Sequence, residues 1–432
     1  MKNKIFLFLF LGNFLIAEVL KFSTAYEFSL QNSHAIKASD YNYKSLKSQI
    51  RRDKSFMFPR LNFNASFGYS RREYKVNKRI YKDDDIRKGI VKSFGITLSQ
   101  TIYDRQRYKI YESSIIKANK AKIENQLERF KFSTKVLEVY MNILKTYTKI
   151  DLYKTYIKYH KSILKYNEKS YKMGLIGKVD ILKERVQYDR MKIGLKSEKR
   201  NLRIFREQLS RYLGFSNFKL PKLNIRKFNK QVIRKMLQVV NDKDNIYNNL
   251  EYQIASINVS YLKKELEVAK SGHYPTLTLN ASYNRYYGKH ITIEKDYEAS
   301  LDLRLPVYDG GYTRASIEKA KYDLLASKEN LKELEDKIYI TYKQSLSDFK
   351  ANLDTLKINR DSYYVTKKNL DKIQKGFNKG LNSIGELYKA KSDMLSVKVD
   401  YLESVYKLLD NYINILILTN RFDKLNIIDK VL

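Results

Sequence analysis

The sequence of 432 residues contains no cysteine, no tryptophan and only four prolines. Without cysteine the chain can form no disulfide, no thiolate metal site and no lipid-modified N-terminal cysteine. The histidines lie far apart and lack the spacing of metal ligands. We therefore predict no metal site and no cofactor. The four histidines are His34, His160, His273 and His290.

The prolines stand at the joints of the sequence pattern. Pro59 and Pro275 come where a helical pattern gives way to a strand pattern. Pro306 ends a strand pattern, and Pro221 lies between the two halves of the chain. Because proline cannot donate a backbone hydrogen bond, helices and central strands exclude it. Its scarcity elsewhere predicts long, uninterrupted helices.

Long apolar runs are also missing. Beyond the N-terminus no run reaches the 18 residues or so of a spanning helix, and the nearest candidate is Ile413–Leu418. The N-terminal run Ile5–Ile16 follows the basic residues Lys2 and Lys4 and is too short to span. It predicts a signal peptide over residues 1–17, with a membrane anchor and a buried strand as alternatives that fit less well.

Acidic residues are few relative to basic ones: 47 Asp and Glu against 84 Lys and Arg, a net charge of +37. Such a charge raises nucleic-acid binding as a hypothesis. The lysines are spread along the whole chain and mixed with acids, without a concentrated basic tail. A solvated, lysine-rich surface explains the charge better, and we predict no nucleic-acid partner.

The chain contains two copies of one unit, about 205 to 216 residues apart. PRLNFNAS at position 59 recurs as PTLTLNAS at position 275, and LSQTIYD at position 98 recurs as LRLPVYD at position 303. A Gly-Leu pair at position 174 recurs at position 380. We predict a first repeat over 18–214, an inter-repeat segment over 215–244, a second repeat over 245–420 and a tail over 421–432.

Each copy shows the same order of elements: a helix, two strands, a very long helix and, after a tight turn, another helix. Apolar residues of the first long helix recur at the three- and four-residue steps of a coiled-coil seam. The long helices are predicted at Arg107–Lys172 and Thr313–Asn378, and the others at Ala25–Met57, Val179–Tyr212, Asn245–Lys270 and Ser383–Thr419.

The predicted strands alternate apolar and polar residues, as in the series Leu61, Phe63, Ala65, Phe67 and Tyr69. The strands around 94–98, 277–283 and 301–307 alternate in the same way. Alternation over about 9–11 residues suits a lipid-facing barrel strand with a wet interior. It also suits a half-buried antiparallel sheet. The predicted export signal favours the membrane strand.

Four strands cannot close a membrane barrel alone. An open edge in hydrocarbon leaves backbone groups without partners, at several kcal/mol each. Membrane barrels begin at about eight strands. Two protomers would supply eight strands and three would supply twelve, so this count predicts an oligomer and leaves both sizes open.

The ordered set of motifs resembles the TolC outer-membrane efflux family over essentially the whole mature chain. The set comprises the duplicated layout, the segment PVYDGG over 306–311 before a long helix, and the Gly-Leu turns followed by an acid. The resemblance implies a mainly α fold with a β-barrel part. Duplicated helical hairpins of three copies would form a periplasmic α-barrel tunnel, and four strands per protomer would enter a shared 12-stranded transmembrane β-barrel.

The same resemblance implies a passive exit duct of an efflux or type I secretion system in the outer membrane, and not an enzyme. Its partners would be two further copies of the chain, outer-membrane lipid, a periplasmic adaptor (membrane fusion protein) and an inner-membrane transporter of the RND or ABC type. Whether the cargo is a drug or a protein stays open.

In the family, the two tight turns lie at the periplasmic tip, where the adaptor docks and the pore closes. The adaptor-docking turns would then hold Gly174, Leu175, Gly380 and Leu381. A helix end also favours glycine for backbone reasons alone.

Asp180 and Glu386 match family positions at the pore constriction. Threefold symmetry would gather each acid into a carboxylate ring that favours cations and raises the pKa of some carboxyls. The alternative is that each acid only complements the dipole at a helix N-terminus.

Three further residues are assigned to the pore constriction by the resemblance and depart from the family pattern. Phe377 and Asn382 replace an aromatic hydroxyl and an arginine that tether the closed state in relatives. Lys389 stands where some relatives have a second acid. We therefore hypothesise that closure uses Lys178 or Lys379 with Asp180 or Glu386.

Two other functional classes were weighed. A basic coiled-coil scaffold or nucleic-acid binder without channel activity would explain the charge and the helices, but not the export signal or the paired strands. An enzyme is disfavoured because GLIGK over 174–178 lacks the spacing of a phosphate-binding loop and does not follow a strand.

Overall fold

The computed structural model describes residues 20–74, 85–220, 230–240, 246–288, 294–421 and 424, so the predicted signal peptide and Pro221 lie outside the described residues. Short 3₁₀ turns at Ser55–Met57, Ile246–Asn248 and Ser271–His273 accompany the main elements. In chain order these elements are α1 (Phe22–Asn32), α2 (His34–Lys54), β1 (Arg60–Tyr74), β2 (Asp85–Asp104), α3 (Arg105–Lys172), α4 (Lys178–Leu213), α5 (Lys230–Val240), α6 (Leu250–Lys270), β3 (Thr276–Gly288), β4 (Lys295–Arg304), α7 (Tyr312–Asn378) and α8 (Ile384–Leu418).

The two very long helices, α3 and α7, begin and end within two residues of their predicted bounds. The helix predicted over Ala25–Met57 is instead two helices, α1 and α2, separated at Ser33. Ser33 has an extended backbone, and its hydroxyl accepts the Ile36 N–H at 3.3 Å. It therefore caps α2 and stops the helix from being continuous. Within the described ranges, no helix is both long and apolar enough to cross a bilayer.

The chain forms two compact units, and each draws on both halves of the sequence. The first comprises Met1–Ser39, Gln126–Leu250 and Glu335–Leu432. Its core consists of fully buried side chains such as Tyr140, Leu209, Phe349 and Leu409. The segment over 215–244 contributes to this core, because α5 buries Met236 in it.

The second unit, Asp40–Asn125 with Glu251–Leu334, contains the sheet. The strands lie in the order β1-β2-β3-β4, and each neighbouring pair is antiparallel. Pro59 and Pro275 directly precede β1 and β3, as predicted. Because neighbouring strands are antiparallel, β1 and β3 run in the same direction, and the helices are attached at one end of the sheet.

The two faces of the sheet differ in polarity, as the alternation predicts. On one face, apolar side chains are between 63% and 72% exposed: Leu61, Phe63, Phe67, Leu301 and Leu303. The other face is polar. There, the Ser66 and Ser93 hydroxyls lie 2.7 Å apart, and Asn280 donates to Asp302 at 2.6 Å. A sheet in water would bury its apolar face, so exposure of large side chains on all four strands marks a surface that another apolar phase covers.

The strand lengths differ from the prediction of about 9–11 residues. β1 has 15 residues and β2 has 20, because backbone pairing continues past the last apolar residue of the alternation. β4 ends at Arg304, so Leu305 and Val307 lie outside the strand to which the alternation assigned them. Pro306 explains this end, since it cannot donate to the ladder.

A ring of four charges joins α3 to α6 in the second unit. The Lys109 ammonium lies 2.8 Å from Glu112 and 3.0 Å from Glu267, and Lys264 contacts the same carboxylates at 3.0 and 2.9 Å. The hydrogen bonds from Lys264 and then Lys109 lower the pKa of Glu267 to about 2. The bond from Lys109 is the main cause of the lowered pKa of Glu112.

This ring predicts an acid-sensitive contribution to stability. Because the folded-state pKa of Glu267 is depressed, the contribution is complete above the unfolded pKa of about 4.5 and is lost as the pH falls towards 2. We expect Glu267→Gln to lower the free energy of unfolding by on the order of 1 kcal/mol at pH 7, after allowance for partial exposure. Denaturant midpoints of variant and wild type should converge near pH 2.

The matched control is Glu329→Gln. Glu329 pairs with Lys332 at 3.0 Å, but both side chains are largely exposed, at 71% and 70%. We expect this change to lower the free energy of unfolding by less than about 0.5 kcal/mol. Equal losses for the two variants would contradict the special role of the ring.

Candidate functional site

The first helical turn is closed by its own backbone. α3 ends at Lys172, and Gly174 adopts a left-handed conformation with φ +72°. The Leu175 N–H donates to the Ser170 carbonyl, and the Gly174 N–H donates to the Tyr171 carbonyl, both at 2.9 Å. These two bonds form a Schellman motif, which satisfies carbonyls that a helix end leaves free.

The second turn repeats this geometry. Gly380 has φ +76°, the Leu381 N–H donates to the Gly376 carbonyl at 2.8 Å, and the Gly380 N–H donates to the Phe377 carbonyl at 3.0 Å. A residue with a Cβ would be strained at either left-handed glycine. The left-handed backbone conformation alone therefore explains why glycine stands at positions 174 and 380.

The backbone conformation does not explain why a leucine follows each of these glycines. Leu175 is 68% exposed and Leu381 is 78% exposed, although both are large and apolar. The Schellman bonds hold each leucine at a fixed place beside its turn. Two equivalent apolar side chains at equivalent turns form a surface suited to a partner.

The two acids also occupy equivalent positions. Asp180 is the third residue of α4 and Glu386 is the third residue of α8. Each carboxylate lies in the first turn of its helix, where the dipole favours negative charge. The duplication thus places both acids at the same site of the same motif.

Their local surroundings differ. In α8, the Ser383 hydroxyl accepts the Glu386 N–H at 3.1 Å, and the Ser383 N–H donates to the Glu386 carboxylate at 2.6 Å. This capping box makes Glu386 part of the helix end. The Ser383 backbone, followed by the side chains of Ser383 and Asn382, lowers the pKa of Glu386.

In α4, the corresponding cap is Gly177, which has no side chain to offer. The Asp180 side chain is exposed, and no hydrogen bond or ion pair holds its carboxylate within the described part of the chain. Of the two carboxylates, Glu386 is held by its own turn, and Asp180 has no such capping bond.

Two of the three departures from the family pattern have a local role in the second turn. The Asn382 side chain lies against Gly376, where any Cβ would overlap its amide oxygen. Asn382 also contacts Glu386, so it links the end of α7 to the start of α8. Phe377 is half-buried and supplies the carbonyl that caps Gly380. Lys389 is exposed on α8.

The hypothesis that Lys178 or Lys379 pairs with one of the two acids stays a prediction for the closed pore. Among the described residues, neither lysine forms an ion pair with Asp180 or Glu386. The capping box explains the absence at Glu386, because Ser383 and Asn382 already satisfy that carboxylate. The structure brings Asn382 and Glu386 together.

One contact near the first turn was not anticipated from the sequence. His160 on α3 lies 2.7 Å from Glu184 on α4, Nδ1 to Oε1, and each side chain is only 15% exposed. The Tyr159 ring centroid lies 5.0 Å from that of His160. Burial is the main cause of the raised pKa of Tyr159, and Glu184 adds to it. His160 lies 12 residues before the end of α3 and Glu184 lies 6 residues after the start of α4, so spacing along the chain did not indicate the pair.

The comparison with protein families decides the identity. The family model for outer membrane efflux proteins matches residues 25–215 and 245–421. The chain belongs to the outer membrane efflux protein family. Its location is accordingly the outer membrane.

Individual relatives agree with this assignment. The outer membrane protein TolC of Escherichia coli is 20% identical over 381 residues, which cover 85% of this chain and 75% of the relative. TolC of Vibrio cholerae is 21% identical over 371 residues and 82% of each chain. The CmeC outer membrane channel of Campylobacter jejuni has the same fold, with a TM-score of 0.73 at 15% identity over 92% of this chain and 85% of that one.

The two turns of this outer membrane efflux protein predict opposite responses to a change at the cap. Ser383→Ala removes the capping hydroxyl, which costs about 1 kcal/mol at a helix N-terminus. We expect the first-turn amides of α8 to exchange hydrogen roughly fivefold faster. Gly177 has φ −85° and ψ 160°, which serine adopts freely, so Gly177→Ser should slow exchange in the first turn of α4.

Hydrogen–deuterium exchange read by mass spectrometry measures both effects. Peptides from the far ends of α4 and α8 serve as internal controls, because neither substitution touches them. Unchanged exchange in Ser383→Ala would show that the capping box does not hold the second turn in solution.

Proposed function

We propose that three copies of this chain form an outer-membrane channel, the exit duct of a tripartite efflux or type I secretion system. The duct conducts cargo passively from an inner-membrane transporter and a periplasmic adaptor to the outside. Its residues bind and guide cargo and catalyse no reaction.

One observation carries the proposal: the sheet has an exposed apolar face, a polar face and two open edges. β1 and β4 each have one neighbour in the chain. In hydrocarbon, the free backbone groups of such an edge must be paired. β4 of one copy can pair with β1 of the next, and three copies supply twelve strands, within the range of membrane barrels.

The polar face then lines the interior. Asn62, Asn64 and Ser66 of β1, together with Asn280 and Ser282 of β3, would meet water in the lumen, and the large apolar side chains would meet lipid. This assignment agrees with the measured exposure of the apolar face, because lipid replaces the protein core that would otherwise cover it.

The two turns take the roles of docking surface and constriction in this proposal. Leu175 and Leu381 are the exposed apolar contacts for the adaptor, held by Gly174 and Gly380. The constriction comprises Asp180, Glu386, Phe377, Asn382 and Lys389. Since Glu386 is engaged in its capping box, Asp180 supplies the carboxylates that act on passing ions.

The channel is tested by purification from the outer-membrane fraction, electron microscopy and planar-bilayer recording. We expect threefold particles with a helical shaft on the order of 100 Å, from helices of almost seventy residues at about 1.5 Å each, and stepwise conductance. Monomers, or compact particles in a soluble fraction, would overturn the proposal.

The constriction is tested with isosteric neutral variants. Three Asp180 carboxylates around a narrow pore should bind divalent cations and reduce the current. We expect Asp180→Asn to raise the half-blocking calcium concentration roughly tenfold, which corresponds to about 1.4 kcal/mol of binding.

Glu386→Gln is the matched control, because glutamine maintains a capping box and the same volume. We expect the half-blocking concentration to stay close to that of the wild type. A larger effect from Glu386→Gln than from Asp180→Asn would reverse the assignment of the two acids.

A further inference from the structure

Every strand has an aromatic residue followed by a cation on the apolar face, and the backbone register staggers these pairs from β1 to β2 and from β2 to β3. On the apolar face, moving toward the hairpin loops, each strand has an aromatic side chain and then, two residues on, a lysine or arginine. All four cations are exposed. The pairs are Tyr69 and Arg71 on β1, Phe94 and Lys92 on β2, Tyr283 and Arg285 on β3, and Tyr297 and Lys295 on β4.

The register places like charges together. Arg285 lies directly opposite Lys295 in the β3–β4 pair. Like charges at directly opposed positions destabilise a sheet. Within the described residues, Lys92, Arg285 and Lys295 form no ion pair with a carboxylate. Two of them lie over aromatic rings: the Lys92 ammonium lies 5.7 Å from the Phe67 centroid, and the Arg285 guanidinium lies 4.8 Å from that of Tyr287.

The acids of β4 do not relieve this repulsion. Asp296, Glu298 and Asp302 all lie on the polar face, whereas Lys295 lies on the apolar face of the same strand. Lys295 therefore shares its face with no carboxylate of its own strand, and an anion on the apolar side can reach it.

The opposite end of the apolar face is different. There the face ends on leucines, Leu61, Leu277 and Leu303, and the residues just before β1 and β3 are prolines. Cations at this end pack on rings outside the apolar face of the strands: Arg60 lies 4.6 Å from the Phe56 centroid, and Arg105 lies 4.1 Å from that of Tyr274. Within the described strands, the cations of the apolar face itself lie toward the hairpin end.

We propose that Lys92, Arg285 and Lys295, with their aromatic neighbours, bind the phosphate groups of anionic phospholipids at the outer boundary of the membrane. Aromatic rings favour the headgroup level, and long cationic side chains reach along apolar surface to the lipid phosphates. The lipid phosphates also separate Arg285 from Lys295 electrostatically. This inference rests on the proposed function, in which the hairpin end faces outward and three copies supply nine such cations.

The test compares lipid composition around the protein. The full-length protein is reconstituted in nanodiscs made from equal parts of phosphatidylcholine and phosphatidylglycerol, and lipids of the purified discs are quantified against empty discs. We expect phosphatidylglycerol to be enriched about twofold around the wild type, since basic residues near the bilayer surface attract anionic lipid. The variant K92Q/R285Q/K295Q should lose the enrichment.

Two matched variants separate this role from a folding defect. K92R/R285K/K295R preserves the charges and should retain the enrichment. K183Q/K199Q/K372Q removes three exposed lysines from helices and should also retain it, although its net charge changes equally. Equal enrichment for K92Q/R285Q/K295Q and wild type would overturn the inference and leave the channel standing. Failure of the wild type to enter any disc would overturn the proposed function and this inference with it.

Discussion

The backbone groups at the two open edges of the sheet impose the constraint on which the rest of the proposed channel depends. β1 and β4 each present a free edge within one chain. In water such an edge is solvated, but in hydrocarbon it needs a partner strand. Because the apolar face is exposed along all four strands, lipid is the surrounding that suits this sheet. The oligomer and the lumen of the proposed channel follow from closing those edges, whereas the number of three copies rests on the resemblance to the family.

The two helical turns show what duplication preserves and what it changes. Both have the same left-handed glycine, the same two Schellman bonds and an exposed leucine. They differ in the next helix, where Ser383 in one turn and Gly177 in the other precede an acid. Ser383 therefore ties Glu386 into a capping box, whereas Gly177 offers Asp180 no such bond. Equivalent sequence positions thus have different hydrogen-bond surroundings.

The effect of the net charge of +37 depends on where the charged side chains lie. On α3 and α6, Lys109 and Lys264 are locked between two glutamates. On β4, Lys295 lies on the apolar face, whereas Asp296, Glu298 and Asp302 lie on the polar face, so the sheet separates this lysine from the acids of its strand. The first arrangement stabilises the fold, and the second leaves a positive charge on the apolar face.

The sequence by itself determined the elements and the duplication. Proline positions and the two hydrophobic periods predicted the long helices to within two residues, because both report on local backbone geometry. It could not predict the break at Ser33 or the extension of β1 beyond Tyr69, because capping and backbone pairing there do not follow side-chain polarity. Only the tertiary structure showed which of the two acids takes part in a capping box, and it alone paired His160 with Glu184. Those outcomes depend on distances between helices and side-chain contacts within a turn, which spacing along the chain does not fix.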